Sequence, residues 1–327
     1  MRYIFVIFFF ILVFSGCVQK QYFQPDDTVG YVPSEDIVED SYILNYISGR
    51  LILLENDKLI TKDKELATKL QKNQEIVNYE HDEVFISYNN DLILSDTNRT
   101  IKLESKVISL AKKGNILALV LQDNSMILYD LELDEVVFKE KHDHSYINNK
   151  KVATPIFINK TVLFPTLDGK VSVVSLSQRK TLRNLIVATT GLVKNVSYLN
   201  VVNNTLIAAT NNNILTFGNT KLNLKEYEVA NIVADGGFIY IATVDGQIIK
   251  LNHKLEEINK KKYKFAKILT LAVTNKFIYG LESQNYLIKL SKNFKTSQIY
   301  DIWFNEYEKT TYLKDKLYYD NRYLKLR

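Results

Sequence analysis

The sequence predicts an all-β chain of eight four-stranded antiparallel meanders closed into a ring, and three observations predict it. The first is residues 160–185, KTVLFPTLDGKVSVVSLSQRKTLRNL, where alternating apolar runs flank Asp168-Gly169. An Asp-Gly pair between such runs is the strongest short-range hairpin signal, because glycine takes the positive φ that a two-residue turn demands. The second is recurrence: comparable turns fall at Asn56-Asp57, Asn90-Asp91, Asp123-Asn124, Asp168-Gly169, residues 211–213, Asp245-Gly246, Gln284-Asn285 and Asp320-Asn321, spaced between 33 and 45 residues. The third is the last unit, in which the chain stops at Arg327 straight after a third strand over 323–326. An uncovered edge is a template for aggregation, so residues 28–38, just before the first unit, are expected to complete it. Four strands per unit at a period near forty residues is the signature of a β-propeller. Eight blades are expected, with seven blades and one appended meander as the alternative.

Each blade is expected to carry an innermost strand about a dozen residues before its central turn. These segments are 43–47, 77–79, 108–111, 154–158, 198–202, 232–234, 269–273 and 310–313. The strands around the turns are rich in Val, Ile, Tyr, Phe and Thr, which suit a pleated, half-buried surface. More polar outer strands follow at 100–103, 136–139, 181–185 and 259–263. Domain organisation is then a leader over 1–16, a tether over 17–40 that includes the ring-closing segment, and the propeller over 41–327.

The leader, MRYIFVIFFFILVFSG, has a basic start and an apolar run too short to span a bilayer comfortably, followed by the chain's only cysteine, Cys17. The end of this run, Phe14-Ser15-Gly16-Cys17, resembles the bacterial lipobox, with Phe14 where Leu is commonest. That resemblance implies diacylation of Cys17, cleavage before it, and anchoring by acyl chains, each buried methylene adding about 0.8 kcal/mol. Val18 in place of Asp implies, by the same resemblance, the outer membrane rather than the inner. Residues 18–40 carry Pro25, Pro33 and several acids with little periodicity, which reads as a tether at least in part.

Composition argues for a packed chain: 46% of the 327 residues are hydrophobic and 12% aromatic. The net charge of +5, from 42 basic and 37 acidic residues, is spread along the chain, so no nucleic-acid surface is expected. No nucleophile elbow, phosphate-cradling glycine loop or zincin helix occurs, and no catalytic residue is assigned. His142 and His144 flank Asp143 and would point the same way on an extended chain, yet no third ligand is near, so the stretch reads as a solvated inter-blade connection and no metal is expected. His81-Asp82-Glu83 reads as a turn, and His253 as an exposed loop residue. The turn aspartates Asp57, Asp91, Asp168, Asp245 and Asp320 are read as backbone choices rather than paired acids. Asn98, in Asp96-Thr97-Asn98-Arg99-Thr100, matches an extended bacterial glycosylation sequon in a polar loop.

The stretches VATPIFINKTVLFPTLDGKVSVVSLSQRKTLRNL and GGFIYIATVDGQIIKLNHKLEEI resemble the repeat of pyrroloquinoline-quinone-like propellers, and the chain resembles the BamB family of outer-membrane assembly lipoproteins. Quinoprotein dehydrogenases repeat a docking Trp in each blade, whereas Trp303 is the only tryptophan here, so no cofactor is expected. The resemblance implies a non-enzymatic, lipid-anchored docking scaffold for envelope proteins, facing the periplasm and serving the barrel-assembly machinery. The alternative is a surface or periplasmic binding lipoprotein for glycan or protein ligands, and less so a quinone-dependent dehydrogenase. The longest inter-blade connections, around 142–151 and 188–195, are the expected contact loops. Their candidate residues are Tyr146, Ile147, Lys150, Lys151, Lys194 and Asn195.

Overall fold

Eight four-stranded antiparallel sheets follow one another along the chain in a computed structural model that describes residues 21–143, 151–218 and 220–327. The eight-bladed expectation holds, with every central turn where the sequence places it. In blade 4 the strands Ile156–Ile158, Thr161–Pro165, Lys170–Ser175 and Lys180–Ile186 pair in sequence order, and Asp168-Gly169 forms the central turn. The innermost strands of adjacent blades contact one another around the axis. In such a ring, the turns between second and third strands share one face with the connections from outer strand to next blade. That face is termed upper here, and the opposite one lower.

Blades bury their faces only against each other, because each sheet is apolar on both sides. Strands Leu51–Leu54 and Ile116–Leu121 are buried almost throughout. One cluster joins Phe85, Leu92 and Leu94 of blade 2 to Leu117, Leu119 and Leu121 of blade 3. Another joins Ile43, Ile52 and Leu54 of blade 1 to Leu313 and Tyr318 of blade 8, closing the ring.

The eighth blade takes its outer strand from the N-terminal side, as expected, but at Ile37–Glu39, which pairs with Arg322–Lys325 through Ile37↔Leu324 and Val38↔Tyr323. Asp36 adds an ion pair to Arg327 at 2.5 Å. The segment before it is not a free tether. Phe23 is buried between blades 6 and 7, edge-on to Tyr263 and Tyr286. Val29 and Val32 donate backbone N–H groups to Ile299 and Asp301 on the outer strand of blade 7. Phe23 thus pins this segment of the expected tether in a pocket between two blades. Among the described residues no helix is long and apolar enough to cross a membrane.

A device absent from the sequence expectation links the blades near the axis. The innermost strands of blades 1, 2, 3, 6 and 7 each shift register by one residue immediately before a polar side chain: Asn45, Asn78, Ser109, Asn231 and Thr270. Such a bulge re-aims the following side chain. Asn78 donates to the Leu110 carbonyl at 2.9 Å, Ser109 to Ala153 at 2.9 Å and Asn231 to Ile268 at 3.0 Å, while Thr270 meets Thr310 at 2.7 Å. Each of these four bonds reaches the next blade.

Candidate protein-docking face

The upper face is built from central turns and inter-blade connections, and its two halves differ. In blades 3 and 4 the central turns are held by buried polar side chains. Asn124, fully buried at a positive φ in the turn of blade 3, donates to the Asp143 carbonyl at 2.7 Å and accepts from the Leu167 N–H at 2.8 Å. It also donates to Asp168 at 3.3 Å. Asp168 is 7% exposed and accepts from Lys170 at 2.6 Å. Burial pushes its carboxyl up, but bonds from His142, Lys170 and Thr166 outweigh that and hold it well below the usual carboxylate range.

His142 is therefore not in a solvated connection, as the sequence suggested. Its ring is buried, with Nε2 3.2 Å from Glu140 and 3.3 Å from Ser172, and Nδ1 3.6 Å from Asp168. Among the described residues no group of three His, Cys, Asp or Glu side chains is arranged to hold a metal ion. His144, Tyr146, Ile147 and Lys150 lie outside the described residues, as does Cys17.

Of the other expected contact residues, Lys151 reaches from the connection into blade 4 to lie with Nζ 5.3 Å from the centre of the Tyr46 ring of blade 1. Asn195 is 2% exposed and donates to the Lys151 carbonyl at 3.2 Å. It links the connections into blades 4 and 5. Lys194 is half-buried, while Leu192, 90% exposed, stands out from the same connection beside the exposed Thr189 and Thr190. Asn98 is exposed in the turn before the outer strand of blade 2. His81 and Asp82 form the expected turn in blade 2. His253, expected to be exposed, is half-buried, because its carbonyl accepts from Thr216 at 2.7 Å and draws the loop against blade 5.

Blades 6 to 8 present large apolar side chains on the same face. Trp303 is 69% exposed and Tyr307 89%, both in the connection from blade 7 to blade 8, and Val244 and Phe265 stand exposed on blade 6. The connection is fixed at several points. Ile302 N–H donates to the Asn285 carbonyl at 3.0 Å, Phe304 N–H to Asn285 Oδ1 at 3.1 Å, and Asn305 N–H to Asp320 at 3.0 Å. Lys267 pairs with Glu306 at 3.5 Å, tying it to the connection that carries Phe265. Aromatic anchors on a rigid support are what protein interfaces use most, since they bury much area at little entropic cost. The sequence signal was the aromatic run Trp303-Phe304 with Tyr307 inside an otherwise polar connection.

A cavity of about 660 Å³ occupies the axis, lined by innermost strands of blades 1, 2, 3, 5, 6 and 8 and by the connection into blade 4. Arg50 and Glu80, from the first turns of blades 1 and 2, stand at its lower end.

No protein-family model matches the chain. The plasminogen-binding protein PgbB of Helicobacter pylori strain J99 is 34% identical over 237 residues, 68% of this chain and 44% of that protein. PgbB of strain 26695 is 29% identical over 376 residues, 96% of this chain and 69% of that protein. The chain thus matches less than half of one relative's length and about two thirds of the other's. Among solved structures, BamB from Moraxella catarrhalis superposes with a TM-score of 0.65 at 12% identity, over 90% of this chain and 98% of that one. The WD40 domain of Sif2 gives a TM-score of 0.60 at 11% identity, over 91% and 98%. At these identities the structural likeness speaks for fold alone. In fold the chain is a BamB-like β-propeller, and in sequence it is similar to two proteins named for binding plasminogen.

Proposed function

We propose that this propeller is a protein-binding lipoprotein of the bacterial outer membrane, held by acyl chains on Cys17, whose upper face docks plasminogen or a protein like it. The observation that carries the reading is the exposed Trp303 and Tyr307, with Val244 and Phe265 exposed on blade 6, on a connection pinned to blades 7 and 8 and to the connection between blades 6 and 7. The partner is taken from the names of the two relatives, whose similarity runs over most of this chain. The reading assigns the chain no catalytic step. Anchoring concentrates the face at the membrane, and rigid blades keep the aromatic side chains preorganised, which limits the entropy lost on binding.

A second reading, favoured by the BamB-like fold, is a periplasmic scaffold for the assembly of outer-membrane barrels. The two differ in which side of the membrane the propeller faces. Protease treatment of intact cells, followed by a mild-detergent pull-down through a C-terminal tag with Cys17→Ala as the unanchored control, separates them. Loss of the propeller to protease together with capture of added plasminogen supports the first. A protected propeller that co-purifies with the barrel-assembly machinery overturns it in favour of the second.

A further inference from the structure

The axial cavity contains donors that make no hydrogen bond among the described residues. The Arg50 guanidinium has Glu80 Oε1 as its nearest acid at 3.8 Å, beyond hydrogen-bond reach, while Glu80 Oε2 accepts from the Lys112 N–H at 2.6 Å. Arg50 is half-buried at the turn of blade 1, and burial lowers its pKa while Glu80 raises it; a guanidinium so placed stays charged. Tyr312 enters the same corner from blade 8. Its hydroxyl lies 3.6 Å from where a Cβ on Gly49, the neighbour of Arg50, would stand. Among the described residues neither the Arg50 side chain nor the Tyr312 hydroxyl makes a hydrogen bond. Tyr46, Tyr79 and Tyr198 supply aromatic wall to the cavity.

We propose that this corner binds the carboxylate of a small organic acid, with Arg50 gripping its oxygens as a fork, Tyr312 donating a further hydrogen bond, and the acid's apolar body lying among the tyrosines. A single guanidinium flanked by a neutral phenol suits a monoanion, and the planar fork matches a carboxylate. Of the other charged side chains lining the cavity, Glu75 pairs with Lys106 at 2.9 Å, Lys62 and Asp63 are chain neighbours, Glu80 faces Arg50 at 3.8 Å, and Lys151 lies over the Tyr46 ring. A volume of about 660 Å³ is that of a small-molecule site and excludes a folded domain. The carboxylate could belong to a free acid or to the end of a short peptide. This site lies on the axis and does not depend on docking at the upper face.

Titration calorimetry of the purified full chain in detergent tests it, with phenylacetate, phenylacetamide and N-acetyl-glycyl-phenylalanine as probes. The expected result is saturable binding of phenylacetate, about tenfold weaker for the amide and about tenfold weaker in Arg50→Gln. Tyr312→Phe removes one oxygen and leaves the ring, so it tests the site independently of any folding defect in Arg50→Gln; a loss of about threefold is expected. Tighter binding of the dipeptide than of phenylacetate identifies a peptide end as the source, and the reverse identifies a free acid. Equal binding of acid and amide, no binding of either, or unchanged phenylacetate affinity in both variants overturns the proposal.

Discussion

Asp168 in blade 4 and Glu282 in blade 7 both stand at the central turn of their blade, both are buried, and their carboxyls are pushed in opposite directions. Asp168 faces Lys170, His142 and Asn124, and the bonds it receives outweigh the cost of burial. Glu282, fully buried, accepts from the backbone N–H groups of Lys267 and Gln284 and from the Ser283 hydroxyl; burial dominates and raises its pKa. A carboxylate in a turn is thus defined by what the neighbouring connection brings to it. In blade 4 the connection brings the His142 ring against the carboxylate, and Lys170, next to the turn in the same blade, supplies a cation. In blade 7 the carboxylate receives backbone N–H groups and one hydroxyl but no cation, and the connection beyond it turns its aromatic side chains to solvent.

The comparison breaks most sharply at the turn glycine. A Cβ at Gly169 would stand 2.3 Å from the Ala188 carbonyl oxygen, at a φ of +89°, whereas the corresponding Asn285 of blade 7 adopts a φ of 68° with its side chain engaged. Gly169→Ala is expected to cost about 3 kcal/mol in urea unfolding, while Asn285→Gly should cost about 1 kcal/mol, the hydrogen bond to Phe304 being what it loses. Next in size, Asp168→Asn puts a neutral amide against Lys170 and His142 and should cost about 2 kcal/mol. Glu282→Gln, which loses no ion pair, should stay within about 1 kcal/mol of the parent at neutral pH.

The same pair sharpens into opposite pH dependences. Asp168, with its pKa depressed in the fold, contributes stability above its unfolded value of about 3.9, and this is lost as pH falls through the folded value. Glu282, with its pKa raised, contributes stability below its unfolded value of about 4.3, and this is lost as pH rises through the folded value. Urea midpoints followed from acid to neutral pH should show a shallower acid loss in Asp168→Asn. In Glu282→Gln they should show less decline as pH rises from about 4. Identical profiles for the two variants would contradict the opposition.

Much of the propeller was legible because strand alternation and turn chemistry are local: Asp168-Gly169 and Asp245-Gly246 declare their hairpins within a few residues. Closure of the ring was legible in kind, since an outer strand was missing, but not in register, because Ile37–Glu39 is chosen by pairing with residues near 324. The site was harder. His142 and Asn195 read as surface residues, yet their burial is decided by partners 26 to 44 positions away, Asp168 and Lys151. Trp303 was noted only as the lone tryptophan, and its exposure was not foreseen. Exposure follows from how Asn285 and Asp320 pin the connection, and no local pattern encodes that.

The most direct test of the docking face is plasminogen binding to the immobilised chain, parent against the Trp303→Ala, Tyr307→Ala double variant, with unfolding midpoints measured alongside. Both side chains are largely exposed, so the midpoint should hardly move while affinity falls roughly a hundredfold. Unchanged affinity in a folded double variant would contradict the account, as would a parent chain that fails to bind plasminogen.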